Sequence, residues 1–112
     1  VYTSRTVIDL SDQTPEQLLA ISVRISDALT SVVSRLAKRP RFLIAKGGIT
    51  SSDVGTIALA VKKARVLGQV QPGIPVWKIG EESRFPGMSY IIFPGNVGDE
   101  DTLRKIVEVL NR

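Results

Sequence analysis

Residues 41–45, Arg-Phe-Leu-Ile-Ala, form a short apolar run without polar alternation, and it stops against Lys46, Gly47 and Gly48. A strand with one wet face alternates; a run like this reads as a strand covered on both faces, as in a parallel sheet. Parallel strands need crossover connections, usually helical. One segment therefore argues for a layered α/β chain, and its neighbours agree. Upstream, Thr14 is a good N-cap, Pro15 suits the first helical position and Gln17 completes a capping box. Leu18, Ile21, Ile25, Ala28, Leu29, Val32 and Leu36 then recur at helical spacing. Lys38 and Arg39 suit the negative end of that helix, and Pro40 is expected to stop it.

Downstream, Ser51 or Ser52 is expected to cap a second helix carrying Val54, Ile57, Ala58 and Val61 on one side. Residues 64–70 read as a strand, Pro72-Gly73 as a turn, and the segment after it as another short strand. Residues 81–89 read as a loop, Tyr90 to Phe93 as an apolar strand, and Leu103, Ile106, Val107 and Leu110 as the stripe of a last helix. Val1 to Ser4 reads as a strand that extends as far as Ile8 at most. The alternation predicts fold class α/β: a layered sheet with helices packed on it, one domain in 112 residues.

The chain has no cysteine and no histidine, which excludes disulfides, thiolate metal sites, imidazole bases and Ser-His-Asp triads. A net charge of +4 suits a phosphate-bearing ligand but is too weak to imply nucleic acid by itself. No apolar segment is long enough to cross a bilayer, and a cytoplasmic, non-membrane protein is the simplest expectation. The chain opens on Val1 already reading as strand, as expected of a segment cut from a longer protein.

Two places share one grammar of buried strand, glycine turn and helix start: residues 45–51 and residues 93–99. Ligands of open α/β sheets bind beyond the carboxyl ends of strands. A helix start there offers unpaired N–H groups, and glycine lets them approach a phosphate. Strand-to-helix turns also use glycine and serine for purely structural reasons, and neither loop fits a P-loop or a G-x-G-x-x-G pattern. Asp53, Asp99, Glu100 and Asp101 stand near the expected helix starts, where acids favour the dipole but repel bare polyphosphate; a magnesium ion would resolve that conflict. Lys46 supplies compensating charge or a solvated strand end.

The stretches KGGITSSDV, ARVLGQVQPGIPVW, ESRFPGMSYIIFPGNVGDED and the opening YTSR together resemble the C-terminal nucleotide-binding domain of the four-carbon acid sugar kinases, some of which carry the label Hrp-dependent type III effector. The resemblance runs from Tyr2 through the last helix. It implies that residues 1–112 are the nucleotide-binding domain of a larger two-domain kinase, with ATP and Mg2+ as cofactors. That enzyme would phosphorylate a threonate, erythronate or oxo-tetronate at the terminal hydroxyl. The sugar acid would be held by an N-terminal domain outside this chain, the fragment alone would be inactive, and a homo-oligomer is left open. Gly47, Gly48, Ile49, Thr50 and Ser51, with Gly95, Asn96, Val97 and Gly98, are the positions that the resemblance and the loop reading place against ATP. Many relatives carry an acid where this chain has Ile49. No catalytic residue and no metal ligand is assigned within the chain.

Two other readings stand beside this one. Gly95-Asn96-Val97-Gly98 has the G-x-x-G spacing of an RNA-binding KH clamp, but its flank is acidic and the chain has few aromatics for base stacking. A non-catalytic interaction domain would use the glycines only to turn. Ser83 and Arg84 either face the active cleft or, for Arg84, form an exposed ion pair. Trp77 either stacks on adenine or belongs to the core.

Overall fold

The computed structural model describes residues 14–111. The expected strand at Val1 to Ser4 lies outside the described residues. Helix α1 (Pro15–Ser34) is followed by β1 (Phe42–Lys46), α2 (Gly48–Asp53) and a π-helical turn (Val54–Ala58) that prolongs α2. The hairpin β2 (Ala64–Gln71) and β3 (Ile74–Ile79), then β4 (Ser89–Phe93) and α3 (Thr102–Leu110), complete the order.

The four strands form one mixed sheet in the order β1-β4-β3-β2. The apolar runs 42–46 and 89–93 pair in parallel, Leu43 opposite Tyr90 and Lys46 opposite Phe93. The hairpin pairs antiparallel beside them, with Trp77 opposite Tyr90. Side chains alternate along β4, so Tyr90 and Ile91 face opposite layers. Tyr90 joins Ala45, Val54, Leu59, Ile79 and Met88 beneath α2 and the end of α1. Ile91 and Phe93 join Ile74 and Ile106 beneath α3. The sheet is thus covered on both faces, as the lack of alternation in residues 42–45 predicts.

The capping box at α1 forms as expected. The Gln17 amide donates to Thr14 Oγ1 at 3.2 Å, and the Thr14 amide to Gln17 Oε1 at 2.9 Å. The end of α1 differs from the expectation. The helix stops at Ser34, before Lys38, Arg39 and Pro40 are reached. Arg84 ends it instead: its guanidinium donates to the Val33 carbonyl at 2.6 Å and to the Leu36 carbonyl. A cation thus meets the negative helix end, but it arrives from the loop before β4. This corrects the surface ion pair expected of Arg84. Ser83 is buried and donates to the Gly80 carbonyl at 2.6 Å.

The apolar stripe of α1 is only partly used. Val33, with Leu36 just beyond the helix, packs on the core, while Leu18, Ile25 and Val32 stay exposed. Helical spacing states which face is apolar and says nothing of what covers it.

Tyr90 explains the π turn. Its hydroxyl donates to the Ser51 carbonyl at 2.5 Å, while the Gly55 amide donates back to the phenol oxygen. A side chain standing between the Ser51 carbonyl and the Gly55 amide displaces the ordinary i→i−4 bond, and the next bond lengthens to Leu59 N–H on the Val54 carbonyl. Burial pushes the Tyr90 phenol up, so it stays a donor at every physiological pH.

Glu82 closes the base of the β2–β3 hairpin. Its Oε1 accepts from the Lys62 amide at 2.9 Å and the Lys63 amide at 2.6 Å. Hydrogen bonds from backbone amides, its own first and then those of Lys63 and Lys62, hold the carboxyl below the ordinary glutamate value. A lowered carboxyl contributes stability above its unfolded pKa, and that contribution fades as pH falls through the folded one. Glu82→Gln is therefore expected to melt below wild type at neutral pH, with the gap narrowing as pH is taken below 4.5. Thermal melts across that range check it; a gap independent of pH would contradict the assignment.

Candidate functional site

Because β1 and β4 are parallel neighbours, their carboxyl ends deliver the two glycine segments to the same place. The Gly47 amide donates to the Phe93 carbonyl at 2.9 Å. A Cβ on Gly95 would stand only 3.9 Å from the Gly47 Cα. Two loops far apart in sequence therefore lie side by side.

The first loop is a single residue. Gly47 has φ of +101°, in the left-handed region that favours glycine, and this reversal lets α2 begin at once with Gly48. The expected cap at Ser51 or Ser52 is corrected here: Gly47 is the N-cap, no side chain caps the helix, and both serines lie inside it. Ser51 is buried, and its hydroxyl donates to the Ala45 carbonyl at 2.9 Å, which pins α2 to β1. The Gly48, Ile49 and Thr50 amides occupy the first turn, where a helix has no carbonyl of its own to offer them. The Ile49 side chain is 77% exposed and leaves that turn open.

Asp53 also differs from the expectation. It is the last residue of α2 rather than part of its first turn, and it accepts from the Ser26 hydroxyl at 2.6 Å, joining α2 to α1. Lys46 stands over the Phe93 ring, 5.0 Å from its centroid, at the foot of both loops.

The second loop is longer than its grammar suggests, since α3 begins only at Thr102. Its amides are partly spent. The Val97 amide donates to the Pro94 carbonyl at 3.4 Å, and the Asp99 amide to Thr102 Oγ1 at 2.8 Å. The Asp99 carboxylate accepts from the Asp101 amide at 2.9 Å and the Thr102 hydroxyl at 3.1 Å. Those two bonds, the amide first, hold it below the usual aspartate value. Val97 packs its side chain into the α3 layer. Gly95 and Asn96 are exposed, and Gly95 lies against the first loop.

Beside the first loop, on the α2 face of the sheet, lies a pocket of about 380 Å³ walled by Trp77, Tyr90, Ile92 and Val61 and edged by Gly48 and Ser52. Trp77 is half-buried and forms part of its wall. Tyr90 is the residue whose role the sequence reading missed. As the one polar tip in the run Tyr90 to Phe93 it carried the available signal, since a buried phenol needs a partner. Among the described residues no three acidic side chains converge as a metal-binding group.

The chain is a layered α/β domain whose glycine turns meet beyond adjacent parallel strands, the region where open α/β sheets generally bind their ligands. More specifically, this chain belongs to the family described as the nucleotide-binding C-terminal domain, which matches residues 1–103. A crystal structure of a domain of unknown function from Bordetella bronchiseptica, described with bound citrate and as a domain-swapped dimer, is similar in fold. The TM-score is 0.62 at 21% identity, over 78% of this chain and 21% of that one. The chain thus spans about a fifth of the length of that protein. None of the curated proteins matches it. Among the described residues no helix is long and apolar enough to cross a membrane.

Proposed function

We propose that the paired loops hold the phosphates of ATP, and that the domain is the nucleotide half of a kinase acting on the terminal hydroxyl of a four-carbon sugar acid. The observation that carries this reading is the contact between the loops, Gly47 amide on Phe93 carbonyl at 2.9 Å with Gly95 alongside. It gathers the open first turn of α2, the exposed Gly95 and Asn96, and the Lys46 charge at one end of the sheet. Family membership supports a nucleotide as the ligand. The pocket beside Trp77 and Gly48 has the apolar walls and the adjacency to take the base and ribose. Phosphoryl transfer asks for positioning and charge neutralisation rather than covalent groups, so a domain without histidine or cysteine meets its demands.

Backbone amides of Gly48, Ile49 and Thr50 bind and orient the phosphates in this reading. Asp53 and Asp99 are engaged within the fold. In this reading the magnesium ion would arrive on the nucleotide, with its oxygens as ligands. The sugar acid and its proton acceptor belong to another part of the kinase. Association of two copies fits the same reading, since the similar structure is a domain-swapped dimer and α1 leaves Leu19 and Val23 uncovered.

Gly48→Val tests the proposal cleanly. A Cβ at Gly48 meets nothing within 4 Å, so the fold tolerates it, while the branched side chain crowds the amides that would meet phosphate. Calorimetric titration with Mg-ATP is expected to show weak binding to wild type and at least a tenfold loss in the variant. Equal binding by both folded proteins would remove this loop from the site.

A further inference from the structure

A second, strongly basic hollow lies at the opposite end of the sheet. Its volume is about 610 Å³, and Lys63, Arg65, Lys78, Glu81, Pro86 and Gly87 line it. The register places it: Lys78 sits opposite Ser89, the first residue of β4, whereas the glycine loops follow Phe93, the last. Arg39 reaches the rim. A Cβ on Gly87 would lie 3.7 Å from Lys78 Cε and 3.9 Å from Arg39 Nη2.

The charges here are arranged at a cost. Arg65 and Lys78 stand directly opposite one another across the β2–β3 pair, and like charges in that relation destabilise a sheet. The salt bridges among the described residues join Arg104 to Asp101 and Glu108 at α3, away from this cluster, and Glu82 attracts Lys63 but not the Arg65–Lys78 pair. Two carboxylates oppose the four cations. Glu81 lines the hollow, and Glu82 is held by the Lys62 and Lys63 amides at the hairpin base. An unfavourable pair that the fold does not use for its own packing is what a site for an anion requires of the free protein. Arg65 offers a planar fork, Lys63 and Lys78 offer mobile point charges, and Gly87 leaves one wall without a side chain.

We propose that this hollow binds a compact, multiply charged anion, a phosphate ester or a polycarboxylate, at a site separate from the glycine loops. The inference does not rest on the nucleotide reading. The test is an NMR titration of the whole chain with inorganic phosphate at low ionic strength, paired with thermal melts. Saturable amide shifts are expected at Lys63, Arg65, Lys78 and Gly87. Arg65→Gln and Lys78→Gln are each expected to weaken the affinity at least tenfold. In phosphate-free buffer Lys78→Gln is expected to melt at or above wild type, because it removes the like-charge pair, and to lose the stabilisation that phosphate gives wild type. Shifts that never saturate, shifts confined to the glycine loops, or an affinity unchanged in Lys78→Gln would each overturn the proposal.

Discussion

Replacing Phe93 with alanine is expected to cost about 3–5 kcal/mol of stability, the usual range for emptying a buried aromatic position. Phe93 is only 2% exposed and packs with Ile74, Ile91 and Ile106 between the sheet and α3. Its backbone carbonyl takes the Gly47 amide, and its ring lies under the Lys46 ammonium. The cavity would thus open beneath both glycine loops, so ligand binding should suffer along with stability. Chemical denaturation measures the first effect, and titration below the melting transition the second. Phe93→Leu, which keeps most of the volume, should recover most of both. A loss under about 1 kcal/mol in Phe93→Ala, far short of the core range, would mean that α3 is not packed on this face as described.

Gly98→Ala is expected to cost about 2–5 kcal/mol, by two additive routes. Gly98 has φ of +86°, and an L-residue in the left-handed region costs about 1–2 kcal/mol. Its new Cβ would also stand 2.8 Å from Thr102 Oγ1 and 2.9 Å from Thr102 Cβ. Thr102 is buried, and its hydroxyl both accepts from the Asp99 amide and donates to the Asp99 carboxylate. Relieving the clash breaks those two hydrogen bonds, each worth about 0.5–1.5 kcal/mol. The variant should melt roughly 10–20 °C lower, at the usual ratio of melting temperature to free energy for a domain of this size. Thr102→Ala is the informative companion. It removes the clash and the hydrogen bonds to Asp99 together, so adding Gly98→Ala to it should cost only the left-handed penalty. Full additivity of the two would show that the side chains do not meet.

Much of the fold was legible because it is written in local periodicity and turn chemistry. The capping box at Thr14 and Gln17, the apolar runs of β1 and β4, and the Pro72-Gly73 turn all depend on residues close in sequence. The misreadings share one cause. Ser51 looks like a helix cap in sequence because serine caps are common, but Gly47 can reverse the chain in one residue, and Ser51 is then carried inside the helix and bonded to Ala45. Asp53 moves out of the first turn for the same reason. Arg84 reads as a loop charge until the end of α1 is brought against it. Each error involves a polar side chain whose partner lies outside its own segment.

From the order of residues alone came the layered α/β class, both glycine segments and the chemical exclusions that follow from having no histidine or cysteine. Those properties are set by short-range sterics, hydrophobic spacing and composition. Only the tertiary structure decided that β1 and β4 are parallel neighbours, so that Gly47 and Gly95 meet, and that Arg65 faces Lys78 at the other end of the sheet. Strand order and register arise from long-range pairing and from burial of both sheet faces, and no local window of sequence contains them.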